Sequence, residues 1–229
     1  MKLLAIEDGW VTGDVERHST DSHYPEVIRP VWIGIDEDVR HAAEAIVLHF
    51  TTSWWDTSLK TLSTSKGKSV QFLAGRDGKL AQLVRTDRGA YHVRDDATFE
   101  GKKIWNMRTL GIEMENLGPV VPDGNGGYNV WNGSTPWPVE PGEVLDFPSH
   151  GVEVTTADGP VITTHWHLYS ALQLQVVVDL CVFLESELGV NRLLGHSQIQ
   201  DGKLDPGPAI MLESMAENFR EGTWRTQNR

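Results

Sequence analysis

The chain of 229 residues contains a single cysteine, Cys181, so no internal disulfide can form and a disulfide-stapled secreted scaffold is excluded. Cys181 stands in an apolar run, where a free thiol reads as a small buried hydrophobe rather than a nucleophile. Cations are scarce: 20 Lys and Arg face 32 Asp and Glu, a formal charge of −12. That deficit argues against a nucleic-acid phosphate backbone as the main partner, and against an anionic membrane or wall polymer held by charge alone, because both need clustered cations. No run of about 18 uncharged apolar residues occurs, so no membrane span is expected. No export signal is expected either. Met1 to Ile6 opens like one, but Glu7 and Asp8 arrive before an apolar core of about 7 to 15 residues can form. The expected location is therefore cytoplasmic as synthesised, any release to the cell wall being left to another system.

What remains is an ordinary globular composition, 39% hydrophobic and 23% charged with nine Trp, long enough for one large domain with a real core. The alternation of strand-like and helical segments predicts a single α/β domain with a central mixed β-sheet flanked by helices. Residues 1–43 lack sustained periodicity and read as an irregular extension packed on the domain, with one short strand at Val31–Ile35. Ala45–Phe50 is an apolar run of strand length carrying one histidine, His49. Asp56 is placed to cap a short helix over Thr57–Leu62. Two strand-like runs, 70–73 and 80–84, flank Asp77-Gly78, a hairpin signal.

Leu110–Glu115 alternates apolar and acidic residues, which puts Glu113 and Glu115 on one strand face and Ile112 and Met114 on the other. From 117 to 165 the chain changes character, since seven of its eleven prolines fall between Pro119 and Pro160. This stretch predicts an insertion of loops and hairpins able to wall or cover a site. Ser170 and Gln173 form a capping-box pattern at the start of a helix that Gly189 stops. A short strand at 192–194 follows, and Pro208 is placed to open a last helix, leaving 221–229 as a tail.

Three residues suit one metal ion: His49 at the end of a strand, His196 after another, and Asp205 nine positions on. Imidazole and carboxylate are zinc ligands, and a three-ligand set leaves a position open for water, as catalytic sites do. Each taken singly also has an ordinary structural reading. His165-Trp166-His167 has the alternation of a strand metal site, but a packing role fits it better, and His18, His23, His41 and His150 lie in stretches too irregular to assign.

Specificity comes from ordered blocks. Ile46-Val47-Leu48-His49-Phe50-Thr51, Phe72 to Leu83 around Gly75-Arg76-Asp77-Gly78, Ala90-Tyr91-His92, Gly111-Ile112-Glu113-Met114-Glu115-Asn116, Gly195-His196-Ser197-Gln198-Ile199 and Lys203-Leu204-Asp205-Pro206-Gly207-Pro208 follow one another. In that order they resemble the type 2 N-acetylmuramoyl-L-alanine amidases, a family that includes phage lysozyme-like amidases, bacterial enzymes of muropeptide recycling and peptidoglycan recognition proteins. The resemblance covers roughly residues 44 to 212. It implies a catalytic domain over 44–220 that cuts the amide between N-acetylmuramic acid and L-alanine in peptidoglycan or muropeptides, with a zinc-bound water as nucleophile. By position it implies His49, His196 and Asp205 as ligands of one Zn2+ per chain, Glu113 as general base and Lys203 as the cation facing the developing oxyanion. His92 falls in the block the family places near substrate. The stretch from His196 to Asp205 is one residue shorter than is common where the third ligand is Asp.

The residues leave two other functions open: a peptidoglycan-binding protein of this fold without turnover, and a zinc hydrolase of another amide. A lytic, endolysin-like role and a recycling role both fit. The 117–165 insertion, as a groove for extended glycopeptide, favours the first. Oligomeric state is not legible.

Overall fold

A computed structural model describes residues 2–18, 43–103, 106–132 and 135–221. In chain order the elements are β1 (Leu3–Glu7), β2 (Trp10–Gly13), β3 (Glu16–Arg17), β4 (Ala45–Phe50), α1 (Trp55–Thr64), β5 (Phe72–Ala74), β6 (Leu80–Gln82), β7 (Thr98–Phe99), β8 (Lys102–Lys103) and β9 (Thr109–Met114). Then come β10 (Val121–Pro122), β11 (Tyr128–Asn132), β12 (Thr135–Val139), β13 (Val144–Asp146), β14 (Val152–Thr156), β15 (Gly159–Thr163), β16 (His165–His167), α2 (Ala171–Leu188), β17 (Leu193–Gly195), α3 (His196–Ile199) and α4 (Leu212–Glu221).

The expected mixed sheet is present, six strands in the order β17-β4-β9-β5-β6-β3. β17, β4, β9 and β5 run parallel to their neighbours, while β5 and β6 form the antiparallel hairpin that Gly78 turns at φ +83°. Both sheet faces are covered. On one, Ile46, Leu48, Phe72, Leu110, Ile112 and Met114 pack against Val176, Val177, Leu180, Cys181 and Leu184 of α2, forming the main core. Cys181 is buried there, and burial pushes its thiol up to about 12, which leaves it inert. On the other face two smaller clusters form. Ala45 and Val47 join Val93, Ala97, Leu194 and Ile199, while Val70, Leu73 and Ala81 join Trp55 and Leu62 of α1.

Several local expectations are corrected. Residues Leu3–Arg17 are not irregular: β1 and β2 form a hairpin, and β3 adds a parallel edge strand beside β6. The strand expected at Val31–Ile35 lies outside the described residues. Asp56 does not cap α1. It occupies the first turn, and the Trp55 N–H instead donates to Glu115 Oε1 at 2.9 Å. Ser170 caps α2 by accepting from the Gln173 N–H, but the Gln173 side chain turns inward and donates to the carbonyls of Ala74 and Glu115, bolting α2 to the sheet instead of closing a capping box. The last helix starts at Leu212, not Pro208, because 206–210 turns to bury Ile210 in the main core.

The 117–165 insertion builds its own layer. β10-β11-β12 form a small sheet over a cluster of Leu117, Val120, Val130 and Val139, β13 pairs with β16, and β14 with β15. Arg76 ties this layer to the β5–β6 turn, with an ion pair to Glu143 at 2.7 Å and a hydrogen bond to the Leu168 carbonyl.

Candidate active site

Four neighbouring parallel strands end on the same side of the sheet, where open α/β folds place their ligands. His49 lies one residue from the end of β4, Glu113 one residue from the end of β9, and His196 directly follows β17. The β4–β9 register sets His49 directly beside Glu113, so the period of two sends both side chains to the same face. That face is the one left open between the two smaller apolar clusters. Asp205 reaches it from the loop after α3, held by the Ser197 N–H on its own carbonyl at 2.9 Å and by Tyr169, whose hydroxyl donates to the Pro206 carbonyl at 2.8 Å.

His49 Nδ1, His196 Nδ1 and Asp205 Oδ2 form a triangle with every side 2.9 Å. All three residues are buried. Among the described residues this is the one cluster of three or more His, Cys, Asp or Glu able to hold a metal ion. The outward ring atoms fix its chemistry. His196 Nε2 lies 3.1 Å from Gln200 Oε1, a pure acceptor, so the ring hydrogen sits on Nε2 and the Nδ1 lone pair faces the triangle. His49 Nε2 lies 3.0 Å from His92 Nδ1, and His92 Nε2 lies 3.1 Å from Thr109 Oγ1. With the hydrogen of His92 on Nε2, the His49 ring presents a bare Nδ1 to the triangle as well. Two imidazole lone pairs and a carboxylate then converge on one point, an arrangement that a cation relieves and that zinc's borderline preference for nitrogen and oxygen suits.

Electrostatics agree with this arrangement. Burial lowers His49 and lowers His92 further, keeping both rings neutral. Burial, with the Asp205 charge adding to it, pushes Glu113 up to about 8. The Glu113 Oε2 atom is shut from water without a hydrogen-bond partner among the described residues, although the residue keeps a partial opening to the cleft.

The cleft above holds about 1070 Å³ and is lined by the three triangle residues, Glu113, α1, Lys68, the wall from Tyr91 to Asp95, and Lys203. Lys203 is exposed, and its charge draws Glu113 toward the ionised form. Lys68 acts on Glu113 in the same direction and was not singled out by the sequence. It sits alone in a polar Lys66-Gly67-Lys68 turn that no pattern distinguishes from a solvated one.

Three site expectations change. His92 borders the cleft, but both its ring nitrogens are engaged, so it braces His49 and has no ring nitrogen left for substrate. Gly111 makes this possible: a Cβ there would lie 2.8 Å from His92 Cγ and 2.7 Å from Val70 Cγ2. Asn106 Oδ1 fixes the same segment by accepting the N–H groups of His92 and Val93. Glu115 does not face the site with Glu113. Its buried carboxylate takes the N–H of Trp55 on one oxygen and that of Arg76 on the other, each at 2.9 Å, joining α1 to the hairpin. None of the described residues of 117–165 lines the cleft, so the expected wall over the site is not found among them. His167 follows the packing reading: it is fully buried, and its Nδ1 accepts the Leu117 N–H.

A family model described as N-acetylmuramoyl-L-alanine amidase matches residues 39–208. No curated protein matches the sequence. Solved structures share the fold. A selenomethionine derivative of AmpD has a TM-score of 0.53 at 15% identity, covering 94% of this chain and 99% of that one. AmiD from E. coli, solved with anhydro-N-acetylmuramic acid-L-Ala-D-gamma-Glu-L-Lys, has a TM-score of 0.54 at 19% identity, covering 81% and 60%. The amidase LysC from Clostridium intestinale has a TM-score of 0.50 at 12% identity, covering 90% and 97%.

Proposed function

The chain belongs to the N-acetylmuramoyl-L-alanine amidase family, and from that premise we propose that it hydrolyses the lactyl–L-alanine amide of a muramoyl peptide with one zinc ion held by His49, His196 and Asp205. The observation that carries this reading is the 2.9 Å triangle of two bare imidazole nitrogens and a carboxylate oxygen, together with a buried Glu113 oxygen that has no hydrogen-bond partner among the described residues. When bound, zinc lowers the pKa of water toward neutrality and polarises a carbonyl. Glu113 takes the proton of the attacking water and returns it to the departing alanine nitrogen, a role worth about 10²- to 10⁴-fold. A raised carboxyl suits both halves of that transfer. Lys203 places positive charge where the carbonyl oxygen becomes an oxyanion. His92 and Thr109 hold the His49 ring in register, and the cleft between α1 and the Tyr91–Asp95 wall receives the peptide.

The substrate is a muramoyl peptide, free or wall-bound. Because no described residue of the insertion lines the cleft, it supplies no ground for preferring intact wall. Among the described residues no helix is long and apolar enough to cross a membrane. The test is parallel digestion of anhydro-muropeptide and of purified sacculi by wild type and Glu113→Gln. Wild type releases peptide with a free L-alanine amine from at least one substrate, and Glu113→Gln does not. Full activity of Glu113→Gln would overturn the proton-transfer role. Absence of release from both substrates by zinc-loaded wild type would overturn the assigned bond.

A further inference from the structure

The ring of His196 is gripped by a residue that the proposed chemistry does not use. Gln200, directly after α3, is buried, and its Oε1 lies 3.1 Å from His196 Nε2 and 3.0 Å from the Arg94 backbone nitrogen. The Arg94 N–H can only donate, so the amide must turn its oxygen toward it, and that same oxygen then takes the His196 hydrogen. The consequence appears at the other end of the amide. Gln200 Nε2 is buried with no partner among the described residues, an unpaired group of a kind folded proteins seldom keep.

We propose that Gln200 is a positioning residue of the zinc site, fixing the tautomer and plane of His196 and tying that ligand to the cleft wall. This inference rests on the zinc reading above. The wall segment His92–Arg94 then holds both imidazole ligands at once. It braces His49 through the His92 ring, and His196 through Gln200 on the Arg94 N–H. Asn106 clamps the same segment through the N–H groups of His92 and Val93.

The experiment compares full-length wild type, Gln200→Leu, which removes the acceptor at similar volume, and Gln200→Glu, which keeps it. Zinc affinity is read by chelator competition, ligand geometry by the visible spectrum of the cobalt-substituted proteins, and folding by thermal unfolding of the chelated forms. Gln200→Leu should lose about 10- to 100-fold in zinc affinity, as partners of metal-ligating histidines typically do, with altered cobalt bands, while Gln200→Glu binds at least as tightly as wild type. Should Gln200→Leu fail to fold, Gln200→Met takes its place. Zinc affinity and cobalt spectra of the acceptor-free variant indistinguishable from wild type would overturn the proposal, and so would a Gln200→Glu variant as weak as Gln200→Leu. Failure of wild type itself to bind zinc would overturn the zinc reading, a result visible before any variant is compared.

Discussion

Glu113→Gln should stabilise the metal-free protein, and should do so more as the pH rises. The folded-state pKa of Glu113 is about 8 against an ordinary 4.5, because burial and then the Asp205 charge oppose ionisation. With the folded pKa above the unfolded one, the folded chain binds the proton more tightly. Its advantage is complete below pH 4.5 and is lost progressively as the pH climbs to about 8. Glutamine carries no such penalty. At 1.36 kcal/mol per unit the upper bound on the difference is about 5 kcal/mol, and the opening of Glu113 to the cleft, with relaxation of the site, reduces it. A gain of about 1 kcal/mol or more for Glu113→Gln on going from pH 5 to pH 8.5 is what the argument requires, roughly 2–4 °C in Tm for a chain of this size. The assay is urea and thermal unfolding of both chelated proteins at the two pH values. Restoring zinc should shrink the difference, since a nearby cation favours the charged carboxylate. Parallel stability curves for the two proteins across that pH range would refute the reasoning.

Removing a ligand separates metal from chemistry: Asp205→Ala should lose stoichiometric zinc, whereas Glu113→Ala should keep it and lose turnover by about 10²-fold or more, as metal analysis beside an activity assay would show. His92→Ala should weaken zinc binding by about 10- to 100-fold while leaving KM for muropeptide unchanged, because both its ring nitrogens are engaged by His49 and Thr109. An unchanged zinc affinity with a raised KM would restore a substrate-binding role. Glu115→Ala leaves the Trp55 and Arg76 N–H groups without their buried acceptor, and should cost about 2–4 kcal/mol in urea unfolding.

The parts of this fold that a sequence displays are those set by local pattern. β4 shows as an apolar run, the β5–β6 hairpin through Asp77-Gly78, and α2 through Ser170 and Gly189, each of which does the job its type implies. The triangle is legible for a different reason: His49, His196 and Asp205 sit inside ordered blocks, although only folding brings residues 156 positions apart to 2.9 Å. What escaped depends on distant partners. Nothing near Trp55 reveals that its N–H is taken by Glu115, and the alternation of Glu113 and Glu115 reads as a shared acidic face until the strand ends at Met114. His92 lies in a block that the resemblance places near substrate, and the engagement of both its ring nitrogens shows only in the folded chain. β1 and β2 are too short for periodicity to declare them, and β3 is only two charged residues. The prolines of 117–165 suggest a cover, but composition does not say which residues line a cleft.

Mass spectrometry of muropeptides and purified peptidoglycan incubated with the protein as prepared, with chelator, and with zinc restored tests the central claim most directly. The account predicts stem peptides beginning with a free L-alanine amine, abolished by the chelator and recovered with zinc. Release of that product undiminished in the chelated protein, with no zinc bound, would contradict it.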